Sequence, residues 1–194
     1  MPLRFSLGSG YTAGGLIQRL RRDFPDLECA ATAADRAEFR SACGLVQFGI
    51  QEWVESHFML HIVAADFICR CPRAASAAPD ADAGTVTVRH QGRIRRTGIE
   101  YRVPGRASLA AMGLLQTLEQ AAELNAALLP LDFTHCRFQL EPGYVEMRLR
   151  HFGACEIVGQ LPKFRRYVRL GGKQRDLLLR CIGAFRRIIP DGPM

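Results

Sequence analysis

Apolar positions recur at helical spacing in three segments of the chain and alternate with polar ones between them. The first segment, residues 13–24, puts Leu16, Ile17, Leu20 and Phe24 on one face of a helix. The second, 108–129, repeats Ala111, Leu114, Leu115, Leu118 and Ala122, with Ser108 placed to cap its start and Pro130 to stop it. The third, 173–189, carries Leu178, Cys181, Ile182, Phe185, Ile188 and Ile189 on its apolar face. Its Arg186 and Arg187 fall in the last turn, where cations suit the helix dipole. A weaker pattern over 33–42 predicts a short additional helix.

Between the helices the period becomes two, as strands require. LVQFGIQEW, FMLHIVAADFI, TVTVRHQ, RIRRTGIEYRV, FTHCRFQL, YVEMRLRHF, CEIVGQL and FRRYVRL all read this way, several of them joined by short glycine turns. In the hairpin around Pro142 and Gly143, Leu140 faces Val145, Phe138 faces Met147, Cys136 faces Leu149 and Thr134 faces His151, which gathers the apolar residues on one side. The other side pairs Gln139 with Glu146, Arg137 with Arg148 and His135 with Arg150. Residues 72–84 are small or polar and predict a flexible loop within the sheet region.

The expected fold is therefore α+β: one domain over 1–194, a mainly antiparallel sheet covered on one face by about three helices. AGGLIQRL at 13–20 and AMGLLQTL at 111–118 share five residues in register. A duplicated helix-plus-strands unit, as in TATA-binding-protein-like or helix-grip folds, is one reading of that match. Coincidence among common helix residues is the other.

Charge is unevenly placed. Residues 133–194 hold 12 Lys and Arg against 5 Asp and Glu, while the rest of the chain holds 14 against 14, so the whole net charge of +7 belongs to the last third. An anionic partner would explain the asymmetry. So would an arginine-biased composition, since 24 of the 26 basic residues are Arg. No apolar run approaches the length of a membrane helix, and the first residues have neither the apolar core nor the cleavage pattern of a signal peptide. The expectation is a cytoplasmic protein with no membrane insertion. Seven cysteines without a CxxC pair suit reduced, packed thiols.

Candidate chemistry is sparse. His151, Cys155 and Glu156 lie close together, but adjacent strand residues leave on opposite faces, so Cys155 and Glu156 cannot both reach the imidazole. His151 is expected in the core. Gly8, Gly10 and Ala13 match G-x-G-x-x-A before a helix, with Asp35 and Arg36 after the next strand, which would suit NAD(P). Consecutive antiparallel strands from residue 45 argue against that crevice. His57 and His61 on a strand stand about 13 Å apart, too far to share a metal ion. Cys69 and Cys71 lack a second pair, and Glu52 and Glu55 lack a carboxylate partner. No metal or cofactor is expected.

The sharper feature is a basic surface of His135, Arg137, Arg148, Arg150, Arg165, Tyr167 and Arg169, with arginines facing arginines and Tyr167 as a stacking platform. It predicts a binding module for an anionic ligand, nucleic acid or an acidic protein; the plainer reading is a solvated outer face whose arginines pair with Glu146 and other local acids. The alternative is an enzyme, using either the glycine motif or Cys155 with His151. HFGACEIVGQLPKFRRYVRL, followed by GGKQRDLLL, together with GYTAGGL and LLPLDF, resembles an uncharacterised proteobacterial family, a domain of unknown function. The resemblance covers nearly the whole chain and implies a single bacterial domain, with no activity or site residue attached. Oligomeric state is left open by the sequence.

Overall fold

The structure, a computed structural model, describes residues 11–73, 83–92, 95–105, 108–160 and 162–189. Its elements run α1 (Gly15–Asp23), β1 (Leu27–Ala33), β2 (Arg36–Ser41), β3 (Gln47–Ser56), β4 (Leu60–Pro72), β5 (Gly84–Gln91), β6 (Gly98–Arg102), α2 (Leu109–Gln120), α3 (Ala122–Leu128), β7 (Phe133–Glu141), β8 (Tyr144–Gln160), β9 (Lys163–Val168) and α4 (Gly172–Ile188). The strands form one nine-stranded antiparallel sheet in the order β1-β2-β3-β4-β8-β7-β5-β6. The ninth, β9, pairs with the far half of β8. Strands β1 to β4 form an unbroken meander, whereas β8 and β7 lie between β4 and β5, so the sheet order differs between the two halves of the chain. Of the predicted loop, residues 74–82 lie outside the described residues, as do Gly8 and Gly10.

Alternation assigns the two faces. Ala37 and Phe39, Phe48 and Ile50, Phe67 and Cys69, Val86 and Val88, Cys136 and Phe138, and Met147 and Leu149 are all buried under the helices. The Phe24 ring at the end of α1 lies 5.6 Å from Phe39 and 5.5 Å from Phe48, and Phe39 stacks on Phe48 at 5.4 Å. Truncating a fully buried ring of this kind to Ala costs about 3–5 kcal/mol. At the other end of the core Phe138 meets Phe185 of α4 at 5.3 Å.

Three expectations are corrected. Residues 33–42 are not helical but turn from β1 into β2, because Ala37 and Phe39 point inward while Arg36, Glu38 and Arg40 point out, a period of two that cross-strand pairing enforces. The 108–129 helix is two, since the chain leaves helical geometry at Ala121 (φ −77°, ψ 76°). The freed carbonyls of Leu118 and Glu119 are taken by the Asn125 amide, which is held in turn by the Tyr101 hydroxyl. The described residues therefore contain four helices.

The third correction concerns YVEMRLRHF and CEIVGQL. They are one strand, β8, irregular around Ala154 (φ 56°), with four residues, 151–154, set against Ala65 of β4. The predicted hairpin pairs hold from Leu140–Val145 to His135–Arg150, but a bulge at Thr134 gives His151 the partner Phe133.

Candidate functional site

The bulge decides which side chains share a surface. Before it, Arg148 and Arg150 point to the open face, away from the helices, in register with Arg137 and His135. After it, Glu156 pairs with Tyr167 and Val158 with Arg165, and Glu156 meets Arg19 of α1 at 2.9 Å, which places this side under α1. The predicted basic surface is thus two surfaces. His135, Arg137, Arg148 and Arg150 lie on the open face; Arg165, Tyr167 and Arg169 lie at the edge of α1.

The second group is committed to buried acids. Asp23, at the end of α1, accepts from the Tyr167 hydroxyl, from Arg169 Nε at 2.7 Å and from the Leu170 N–H at 3.3 Å. Tyr167 is half-buried with Arg19 over its ring at 5.8 Å, so it offers no free stacking platform. Burial, then Asp23, pushes its phenol well above the ordinary range. Arg165 lies 3.5 Å from Glu156. Glu156 Oε1 has no aligned hydrogen bond, though Arg19 Nη2 lies close to it.

On the open face, two buried carboxylates organise the arginines. Arg150 grips Asp66 with both forks, at 2.7 and 3.0 Å, and its guanidinium lies 4.7 Å from the Trp53 ring centre. Arg148 spans Glu146 (3.0 Å) and Asp66 (3.5 Å), and Arg70 reaches Glu146 at 2.9 Å. Arg137 is different. It stands beside Arg148 across the strand pair, has no acid partner among the described residues, and keeps its Nε buried without a hydrogen-bond partner. A buried donor left in that state costs about 1–3 kcal/mol. His135 next to it is held below its ordinary pKa by the covered part of its ring, then by Arg137 and Arg150. That favours the neutral imidazole. Sequence reasoning placed Glu146 on this face but missed Asp66, Arg70 and Trp53; the alternation of Asp66, Ile68 and Arg70 along β4 was the available signal.

The other candidates resolve into structural roles. Buried His151 accepts from the Gly153 N–H at Nδ1 and lies 2.9 Å from Gln174 Oε1 at Nε2, so both nitrogens are satisfied. Cys155 sits on the opposite side of the strand from Glu156, and burial raises its thiol pKa. His61 bonds Ser56 and His57 pairs with Glu55. Cys69 and Cys71 are both buried, and the described residues contain no cluster with the makings of a metal site.

Ala13 is exposed in the turn before α1. The N-terminal amides of that helix, where a pyrophosphate would sit, are already filled. Glu52 Oε1 accepts from Leu16 and Ile17, and its Oε2 accepts from Gly14 and the Tyr11 hydroxyl. Gly14 has φ +81°, and a Cβ there would come within 2.8 Å of Ala34 O, so this entry to the helix needs glycine. Asp35 and Arg36 belong to the antiparallel β1–β2 hairpin.

A cleft of about 470 Å³ between β6 and α3 is lined by Gln91, Glu100, Tyr101, Glu119 and Asn125. A second, of about 410 Å³, is lined by Gln47, Gly49, Gln51, Ile68 and Arg70 among others. Neither is an enclosed apolar cavity. No helix among the described residues is long and apolar enough to cross a membrane. Comparison with curated proteins and with solved structures returned no match. The family model described as protein of unknown function (DUF3156) matches residues 22–189, and the chain belongs to that family.

Proposed function

We propose that the protein binds a small anionic group, a carboxylate or phosphate, on the open face of its sheet, with Arg137 as the hold and His135 and Arg148 beside it. The observation that carries this reading is part-buried Arg137, set against Arg148, with its Nε buried without a hydrogen-bond partner and no acid partner among the described residues. An anion would supply the missing acceptor and relieve the repulsion between the two arginines. Its neighbours Arg70, Arg148 and Arg150 are already neutralised by Asp66 and Glu146, which favours one compact anionic group at Arg137 over an extended polyanion such as nucleic acid. Tracking a phosphate backbone would require a row of uncommitted cations.

Titration calorimetry with inorganic phosphate, citrate and a single-stranded oligonucleotide tests the proposal. Saturable binding of phosphate or citrate is expected in the wild type and is expected to fall at least tenfold in Arg137→Gln. That variant should fold with unchanged or slightly higher stability. Arg148→Gln should be destabilised by about 1–3 kcal/mol, because Glu146 and Asp66 lose a charged partner in a buried setting. Equal affinities in wild type and Arg137→Gln would refute the site.

A further inference from the structure

The open face has a second half, beyond the bulge, that is apolar. Its rows are fixed by strand register: Trp53–Ala64–Cys155–Val168, then Glu55–Ile62–Ile157–Arg166, then Leu60–Gly159–Phe164. Trp53 is 50% exposed and Phe164 46%, and the adjoining β3–β4 turn displays Phe58 at 95% and Met59 at 44%. Among the described residues, helices cover the opposite side only. Lone exposed apolar residues are ordinary, but four neighbouring strands presenting them together mark a contact surface.

The middle row says what covers it. It runs from an acid, Glu55 on β3, through two isoleucines to a base, Arg166 on β9. A two-fold axis lying along the strands between β4 and β8 exchanges those ends. Glu55 of one copy then faces Arg166 of the other, twice, and Ile62 packs on Ile157. In the row above, the bulky Trp53 meets the smaller Val168. In the row below, Phe164 comes over the turn bearing Phe58 and Met59. Arg166 is exposed and has no ion-pair partner among the described residues, while Glu55 is 56% exposed and has only His57.

We infer that this half of the open face is an isologous interface between two copies of the chain, stacked sheet on sheet and closed by reciprocal Glu55–Arg166 pairs. An anionic bilayer is the competing occupant. It would satisfy Arg166 but leave Glu55 in the contact without a partner, so the charge pattern favours a second copy. Four strands by three rows make a patch roughly 20 Å on a side, about 400 Å² on each copy. The two copies together bury about 800 Å², below the standard size and in the range of weak, transient contacts, so the dimer is expected to be weak. The inference does not depend on the anion site, which occupies the other half of the face.

Sedimentation equilibrium of the full chain from about 1 to 100 µM tests it. The wild type should dimerise. Glu55→Arg and Arg166→Glu should each raise the dissociation constant at least tenfold by opposing like charges, and the double swap Glu55→Arg/Arg166→Glu should restore dimerisation. Arg40→Glu, an equal charge change on β2 outside the patch, should leave association unchanged. The inference is overturned by a wild type that stays monomeric throughout, by a double swap no better than the single variants, or by Arg40→Glu weakening association as much as Arg166→Glu. It is also overturned if monomers float with phosphatidylglycerol vesicles and the swaps make no difference.

Discussion

Replacing Glu52 by Gln keeps the shape of the side chain and removes its charge, and the consequence can be worked out bond by bond. The carboxylate is 6% exposed and takes two N–H donors on Oε1, at 2.9 and 3.1 Å, and an N–H and a hydroxyl on Oε2, at 2.9 and 2.8 Å. Glutamine has one acceptor oxygen. Whichever way its amide turns, the NH2 group faces two donors, and at least one backbone N–H at the start of α1 loses its acceptor. An orphaned buried donor costs about 1–3 kcal/mol. Loss of the negative charge at the helix N-terminus adds about 0.3–2 kcal/mol. The expected destabilisation is about 2–4 kcal/mol, or a Tm lower by about 5–15 °C for a chain of this size. Urea unfolding followed by circular dichroism, with a thermal scan alongside, measures both. A loss under about 0.5 kcal/mol would show that Glu52 is not what anchors α1 to β3.

Two further outcomes follow from the titrating groups. Burial holds the His151 pKa below its ordinary value near 6.5. Its contribution to stability is therefore full above that pH and lost as pH falls through it toward the lower folded value, while the unfolded chain takes up the proton. Wild type should lose more unfolding free energy between pH 7.5 and 5.5 than His151→Gln, whose amide can still donate to Gln174 and accept from Gly153; equal losses would contradict the buried neutral imidazole. Cys43 is exposed, and its bond to Ser41 lowers its pKa, whereas burial raises those of Cys155 and Cys29. Iodoacetamide at neutral pH should label Cys43 first by peptide mass spectrometry, and faster labelling of Cys155 would revive it as a nucleophile.

What the sequence made legible was local. The Pro142–Gly143 turn and the alternation beside it set the β7–β8 register correctly for every pair from Leu140–Val145 to His135–Arg150, because a tight turn leaves the pairing no freedom. Helices α1 and α4 announced themselves through long apolar stripes. Residues 33–42 misled because Ala, Arg and Glu favour helices intrinsically, and only the packing of Phe39 against Phe24 and Phe48 makes them a strand.

The candidate site was half legible for a related reason. His135, Arg137, Arg148 and Arg150 shared a face as read. The irregularity at Ala154 then shifted the register, and no periodicity in the sequence reports it. Glu146 beside Arg148 was legible, but Asp23 and Asp66 were invisible as partners, since Asp23 and Arg169 lie 146 positions apart and Asp66 and Arg150 84. Much of the arginine surplus in the last third neutralises buried carboxylates inside the fold, which leaves Arg137 as the informative cation.

Arginine Nε–Hε correlation spectra recorded during a phosphate titration examine that cation directly. The account predicts that the Arg137 resonance shifts saturably while that of Arg169, held by Asp23, stays in place. An Arg137 resonance that does not move at phosphate concentrations where other arginines respond would contradict it.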